Sequence, residues 1–514
     1  MRSSTTILCV LLVFFSYGQS IDVVELKQPK SNKVIIKLMF RNGSISDPIN
    51  RSGLTNLTAN LMTQGGTKDY SFDEIQKLIY PMAAQYEVLV DKEISTFTFS
   101  VHRDFFNEFY PIVKSVILSP DFNESDFNRI KSNQKAYVDQ IIRASSDEEY
   151  SKKLLENLIF RGTNYQYPVQ GNSMSIDSVT IDDVRNHYTR IFNQQNLTVG
   201  IAGNYTREHL NTLISDLNSL PSTVLDLIKP GMARIPNGME IEIISKKGAF
   251  GSAIFMGFPL SITRSDKDFA ALMVANSFLG EHRKSYGRLY QKIRESRSIN
   301  YGNYSYIEWY HAGGSNQLPP SGVSRSSNYF SIWIRPVQIG KQLKSQYKEL
   351  SEIKIGHAHF TMRMAIRELG LLIKNGMTQN QFESTREFLR SYVKLYIQSP
   401  EDQLGFLLDS KFYGRKDYIS ELDVDLKILT VHDVNRVIKK YLQIDNMFVA
   451  IVTDESEVKP LSKSLENNNI SPMYYSLQVK SGLSPEILNE DEEVAKFPLN
   501  IKSLKIIDSS ETLK

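Results

Sequence analysis

Ser178-Val-Thr-Ile-Asp-Asp-Val184, followed by Asn196-Leu-Thr-Val-Gly-Ile-Ala-Gly-Asn204, returns later in the chain as a second pair of segments. That pair is Leu429-Thr-Val-His-Asp-Val434 and Asn446-Met-Phe-Val-Ala-Ile-Val-Thr-Asp454. Val184 and Val434 stand 250 residues apart, as do Asn196 and Asn446, so a helix and a buried strand recur in one register. Phe127 and Phe382 open similar helical patterns 255 residues apart. Three matches at nearly one offset indicate an internal duplication. The stretch from Leu220-Pro221 to Pro236-Asn237-Gly238 carries the Pro and Gly of a linker between the halves.

Outward from the repeat, strand-like and helix-like segments alternate. Val34–Phe40 is β-rich and ends in the turn Arg41-Asn42-Gly43-Ser44. Ser52-Gly53 opens a helix with Leu54, Leu57 and Leu61 on one face, closed by Gly65-Gly66. Residues 86–91 and 94–101 read as paired strands, and helical patterns follow at 103–117 and 124–143. Segregated elements of this kind predict an α+β class, with two homologous α/β-sandwich lobes, and exclude a parallel doubly wound sheet. The lobes are expected at 19–220 and 239–469, joined by 221–238, with a C-terminal extension at 470–514. The extension is polar, acidic around Asn489-Glu-Asp-Glu-Glu493, and expected to pack on the surface.

Composition narrows the function classes. The 60 Lys+Arg nearly balance 57 Asp+Glu, and no basic run or base-stacking motif is present, which argues against nucleic acid as a partner. Arg2, the apolar run Ile7–Phe15 and Ser16-Tyr17-Gly18 read as a signal peptide of residues 1–18, cut after Gly18. The run is too short for a stable membrane span. Cleavage removes Cys9, the single cysteine, and leaves neither a disulfide nor a thiol nucleophile. No G-x-S-x-G elbow is present either. The expected location is periplasmic or secreted.

Three stretches carry a family resemblance. They are Gly53–Thr67, Tyr165–Gly171 with Val179–Val184, and Gly287-Arg-Leu-Tyr-Gln-Lys-Ile-Arg-Glu-Ser-Arg-Ser-Ile-Asn-Tyr-Gly302. On them the chain resembles the pitrilysin/insulinase superfamily of inverted-zincin metallopeptidases, and most of all its short two-domain bacterial members. The resemblance runs from about residue 30 to the C-terminus. It implies that the two lobes form half of a clamshell, closed around a peptide by a partner's two lobes. It also implies a zinc motif H-x-x-E-H on the first helix, where two imidazoles one turn apart bind the metal and the glutamate activates water.

Here those three positions hold Asn56, Ala59 and Asn60. An amide is a poor zinc ligand and alanine cannot act as a base. Asp139 and Gln140 stand near the expected third-ligand position, too little to hold zinc alone. His357-Ala-His359 is the one close histidine pair, but on a helix i and i+2 point apart. No metal or other cofactor is therefore expected in this chain, and no catalytic residue.

The third stretch keeps its chemistry. Arg294 and Tyr301, seven residues apart, match the spacing of the substrate-binding Arg/Tyr pair that the resemblance implies for the second half. Arginine offers a charged fork to a peptide carbonyl or oxyanion, and tyrosine adds a neutral donor. Arg297, four residues from Tyr301, fits less well. The chain thus resembles the zinc-less, Arg/Tyr-bearing subunit of a heteromeric peptidase. It is expected to be non-catalytic alone and to pair with a zinc-bearing relative, which hydrolyses the peptide. The alternative is a homo-oligomeric peptide-binding or scaffold pseudo-peptidase without an enzymatic role.

Overall fold

The structure is a computed structural model that describes residues 21–222, 228–249, 251–281, 284–299, 302–309, 320–336, 347–351, 353 and 355–514. The expected signal peptide lies outside the described residues, as do Tyr301 and residues 223–227 of the linker.

The first half builds a five-stranded sheet in the order β1-β5-β2-β4-β3. Its strands are β1 (Asp22–Lys27), β2 (Lys33–Phe40), β3 (Gln85–Val90), β4 (Ser95–His102) and β5 (Leu197–Gly203). β1 lies parallel to β5, and the other neighbours are antiparallel. The second half has β6 (Met239–Ser245), β7 (Ala253–Leu260), β8 (Asn303–Tyr306), β9 (Asn328–Ile334) and β10 (Met447–Thr453). It repeats the first order as β6-β10-β7-β9-β8, again with one parallel pair. The chain is α+β with two similarly built lobes.

The repeated sequence motifs are helix starts. Thr180 and Thr430 each accept a hydrogen bond from the backbone N–H three residues on, and Asp183 and Asp433 bond back to the threonine N–H. These two capping boxes fix where the helices before β5 and β10 begin. Val184 and Val434, four residues past each cap, are fully buried. Local chemistry and core position therefore repeat together.

β5 and β10 are near-continuous apolar runs because both faces of each are covered. One face packs on the strand's own lobe, including helices α1 (Leu54–Gln64) and α2 (Glu124–Ala136) in the first. The other face receives a helix from the opposite half. Helix α3 (Asp147–Phe160) lays Leu154, Leu155 and Leu158 against Phe255, Phe448 and Ala450 of the second sheet. Helix α4 (Pro400–Phe412) lays Leu404 and Leu408 against Ile35, Met39 and Ala202 of the first. Gly200 in β5 permits this approach, since a Cβ there would lie 3.0 Å from Leu408 Cδ1 and 3.1 Å from Leu404 Cδ1. The halves exchange helices and share apolar interfaces.

Residues 470–514 do more than lie on the surface. They supply helix α5 (Pro485–Lys496) and strand β11 (Ile501–Asp508), which pairs in parallel with the outer edge of β6. Lys502, Ser503, Lys505 and Asp508 of β11 are exposed, as suits an edge strand with much of its length in solvent. Among the described residues, no helix is long and apolar enough to cross a membrane.

Candidate functional site

Helix α1 carries Asn56, Ala59 and Asn60, the positions that the family resemblance pairs with a zinc motif, and its start is held by protein groups alone. Gly53 sits at φ 91°, and a Cβ there would lie 2.3 Å from the Gln170 carbonyl oxygen, so only glycine fits. Asp47 caps the helix from a distance, accepting from Gly53 N and Thr55 N at 2.7 Å each. Burial pushes the Asp47 carboxyl up to about 7 in spite of these bonds and that of the Thr55 hydroxyl. Thr55 Oγ1 also meets Nε2 of His187 at 2.8 Å. Burial, with Arg190 alongside, pushes that imidazole down to about 3, so it is neutral and props the helix start.

The motif residues bond to one another and to backbone. Asn56 Nδ2 donates to Gln134 Oε1 at 2.8 Å. Gln134 Nε2 donates to Gly53 O at 2.9 Å and to Gln170 O at 2.8 Å. Asn60 Nδ2 donates to the Asn56 carbonyl at 2.8 Å, and Asn60 Oδ1 accepts from Gln64 Nε2. Ala59 is buried in the first lobe's core. These groups do not fit zinc: the amides already bond within the protein, and an amide is a poor ligand beside imidazole or carboxylate. Among the described residues there is no group of three or more His, Cys, Asp or Glu side chains able to hold a metal.

Gln134 faces Asn56, whereas Asp139 pairs with Arg143 at 2.9 Å and accepts from Ser173 at 2.7 Å. The α-helix gives way to a π-helix at Tyr137–Ser145, and the wider turn changes which residues face α1. One sequence signal pointed to Gln134: it is the polar member of the stripe Phe127, Ile130, Gln134, spaced like a buried face.

Zinc binding is expected to return more strongly in Asn56→His/Asn60→His when Gln134→Glu is added. Ala59 is left unchanged, because its counterpart would be a base and not a ligand. The double variant should bind zinc at least about tenfold more weakly than the triple, since an amide replaces an anionic ligand. Metal titration by calorimetry measures this; equal affinity would remove Gln134 from the vestigial site.

The histidine pair is structural. His357 Nε2 accepts from Tyr474 N at 3.2 Å, and His359 Nδ1 meets Ser464 Oγ at 2.9 Å. Burial pushes the two imidazoles down to about 4 and about 3 respectively, so both are neutral.

Arg294 lies on a second π-helix, Tyr290–Glu295. Ile293 anchors this turn in the core, Arg294 is half-buried, and Glu295 is exposed. The chain leaves through Ser298 at φ 54°, a left-handed conformation that a non-glycine residue seldom adopts. Tyr301 lies outside the described residues. Arg297 is differently employed. Its Nε lies 2.6 Å from Asp491 Oδ1 and its Nη2 lies 2.9 Å from Glu490 Oε2, with the side chain wholly buried. Arg297 is locked into the fold, and Arg294 lies half-buried on the π-helix.

Comparison with known proteins agrees with this geometry. The family profile described as Insulinase (Peptidase family M16) matches residues 22–173, and that described as Peptidase M16 inactive domain matches 178–389. The chain is 22% identical over 432 residues to the non-peptidase homolog YmxG of Helicobacter pylori, spanning 82% of this chain and 90% of that protein. It is 19% identical over 424 residues to an uncharacterized zinc protease YmxG of Bacillus subtilis, spanning 82% and 93%. A crystal structure of a peptidase M16 inactive domain from Pseudomonas fluorescens has the same fold. It superposes with TM-score 0.71 at 18% identity, over 85% of this chain and 96% of that one.

Proposed function

The chain belongs to the insulinase (M16) family of peptidases as a zinc-less, non-catalytic member, and from that premise we propose that it is the substrate-binding subunit of a two-chain peptidase. It supplies Arg294 and Tyr301 to a peptide held at the zinc of a partner from the same family. The partner performs the hydrolysis. The observation that carries this reading is an asymmetry between the lobes. The ligand positions of the first lobe are joined in an amide network around Asn56 and Gln134. The Arg294 stretch of the second lobe keeps its residues, on a π-helix of the kind often found at functional sites. Names given to relatives support the non-catalytic part: one is called a non-peptidase homolog, and residues 178–389 match an inactive-domain profile. An exported complex, periplasmic or secreted, follows from the same reading.

The test is reconstitution. Each purified chain alone should hydrolyse an unstructured peptide at no more than a small fraction of the mixture's rate. Full activity from the zinc-bearing chain alone would overturn the subunit reading. A defined homo-oligomer of this chain that binds peptide and leaves the relative's rate unchanged would favour the scaffold alternative.

A further inference from the structure

The acidic tail helix and the Arg294 stretch form one ion-pair network. Lys292 Nζ lies 2.7 Å from Glu490 Oε1, Arg297 Nη2 2.9 Å from Glu490 Oε2, and Arg367 Nη1 3.0 Å from Glu490 Oε1. Three cations from two elements converge on one carboxylate. Asp491 adds the 2.6 Å contact to Arg297 and accepts from Tyr475 Oη at 2.7 Å. Arg288, at the start of the same stretch, pairs at 2.6 Å with the buried Glu368, which also takes Arg367. Burial alone would raise the Glu490 carboxyl, but hydrogen bonds from Lys292 and Arg297 hold it down to about 2. Helix α5 is itself tethered at its C-terminal end, where Ser471 N donates to Ala495 O at 3.0 Å and the chain runs on into β11 of the second sheet.

The stretch that α5 grips is locally irregular. A π-helix packs less favourably than an α-helix, and Ser298 adds a left-handed turn directly after it. Such a segment keeps its shape only where its surroundings over-determine it. The basic residues Lys292 and Arg297 flank Arg294 by two and three positions, and both are held by α5.

We infer that the C-terminal acidic helix is a brace for the Arg294-bearing π-helix, with Glu490 as its hub and positioning residue. The positioning role rests on the reading of Arg294 as a peptide-binding group. The brace itself does not.

The experiment uses the full chain with Glu490→Gln, the shorter carboxylate Glu490→Asp, and Glu493→Gln as a control, whose 68% exposed side chain pairs with Arg367 at 2.9 Å. Amide hydrogen exchange over 284–299 should quicken roughly 10- to 100-fold in Glu490→Gln, the scale of one charge-assisted hydrogen bond. The sheets should exchange as before. The rate of the reconstituted mixture should fall about tenfold through kcat with KM little changed, Glu490→Asp should recover part of it, and Glu493→Gln should do neither. Unchanged exchange at 284–299, or exchange raised equally throughout the chain, would overturn the brace. Quickened exchange with kcat unchanged would overturn its positioning role. If Arg294→Ala also leaves the mixture's rate unchanged, the subunit reading has failed, and the exchange data alone then judge the brace.

Discussion

Arg294→Ala is expected to lower kcat of the reconstituted mixture by about 10²–10³-fold, the usual cost of one donor to a developing oxyanion. Tyr301→Phe should act in the same direction. Stability should fall less than in Arg297→Ala, because the Arg294 side chain is half-buried whereas that of Arg297 is wholly buried between two carboxylates. Glu295→Gln is the matched control: it is exposed on the same turn, and its rate should equal that of the parent chain. Arg297→Ala cannot serve as that control, although its sequence position suggests it. Its side chain is wholly buried between Glu490 and Asp491, so truncation leaves two carboxylates short of a partner. That variant should lose about 3–5 kcal/mol of stability. Thermal melts and kcat on the same preparations separate the two arginines. A loss of rate in Arg294→Ala that only tracks loss of assembly would count against a role at the transition state.

The second large effect concerns the joint between the lobes. Arg325, just before β9, reaches into the first half. Its Nε and Nη2 lie 2.6 and 2.7 Å from the two oxygens of Asp91, and its Nη1 lies 2.5 Å from Glu156 Oε1. Lys92 sits 3.4 Å from Glu156 Oε2 and donates to the Tyr165 carbonyl at 2.8 Å. The guanidinium also lies 4.2 Å from the Trp309 ring centre. All four charged side chains are at most 2% exposed. Arg325→Met should therefore cost about 3–5 kcal/mol, because Asp91 and Glu156 remain buried with too few partners. Chemical denaturation measures it, and a loss under about 1 kcal/mol would show that water reaches the cluster.

The same cluster predicts acid sensitivity. Burial alone would raise the Glu156 carboxyl, but Lys92 and Arg325 more than offset this and hold it down to about 2, against an ordinary value of 4.5. In the unfolded chain the group takes up its proton near pH 4.5, whereas the folded chain resists until about pH 2. Its contribution is thus complete above pH 4.5 and is lost as pH falls from there through 2, by roughly 3 kcal/mol. The acid unfolding limb should flatten in a Glu156→Gln variant, whose stability at neutral pH is already reduced. An unchanged limb would assign acid sensitivity to other carboxylates.

The sequence by itself determined whatever depends on neighbours along the chain. The duplication is visible because Thr180–Asp183 and Thr430–Asp433 are capping boxes, and a cap needs only four residues. The loss of zinc ligands is visible because all three altered positions fall within five residues of one helix. The seven-residue spacing of Arg294 and Tyr301 is likewise a local pattern. Tertiary structure alone decided what those residues face. Gln134 meets Asn56 from a second helix 78 residues away, whereas Asp139, on the π-helix, pairs with Arg143 and Ser173. Arg297 and Arg294 differ in the sequence only by their spacing to Tyr301, and it took the folded chain to show Arg297 held by Glu490 and Asp491. The exchange of α3 and α4 between the lobes leaves no periodic mark beyond an apolar run, because burial on both faces erases the alternation that names a strand's partner. Contacts between residues hundreds of positions apart are set by packing, and packing is a property of the folded whole.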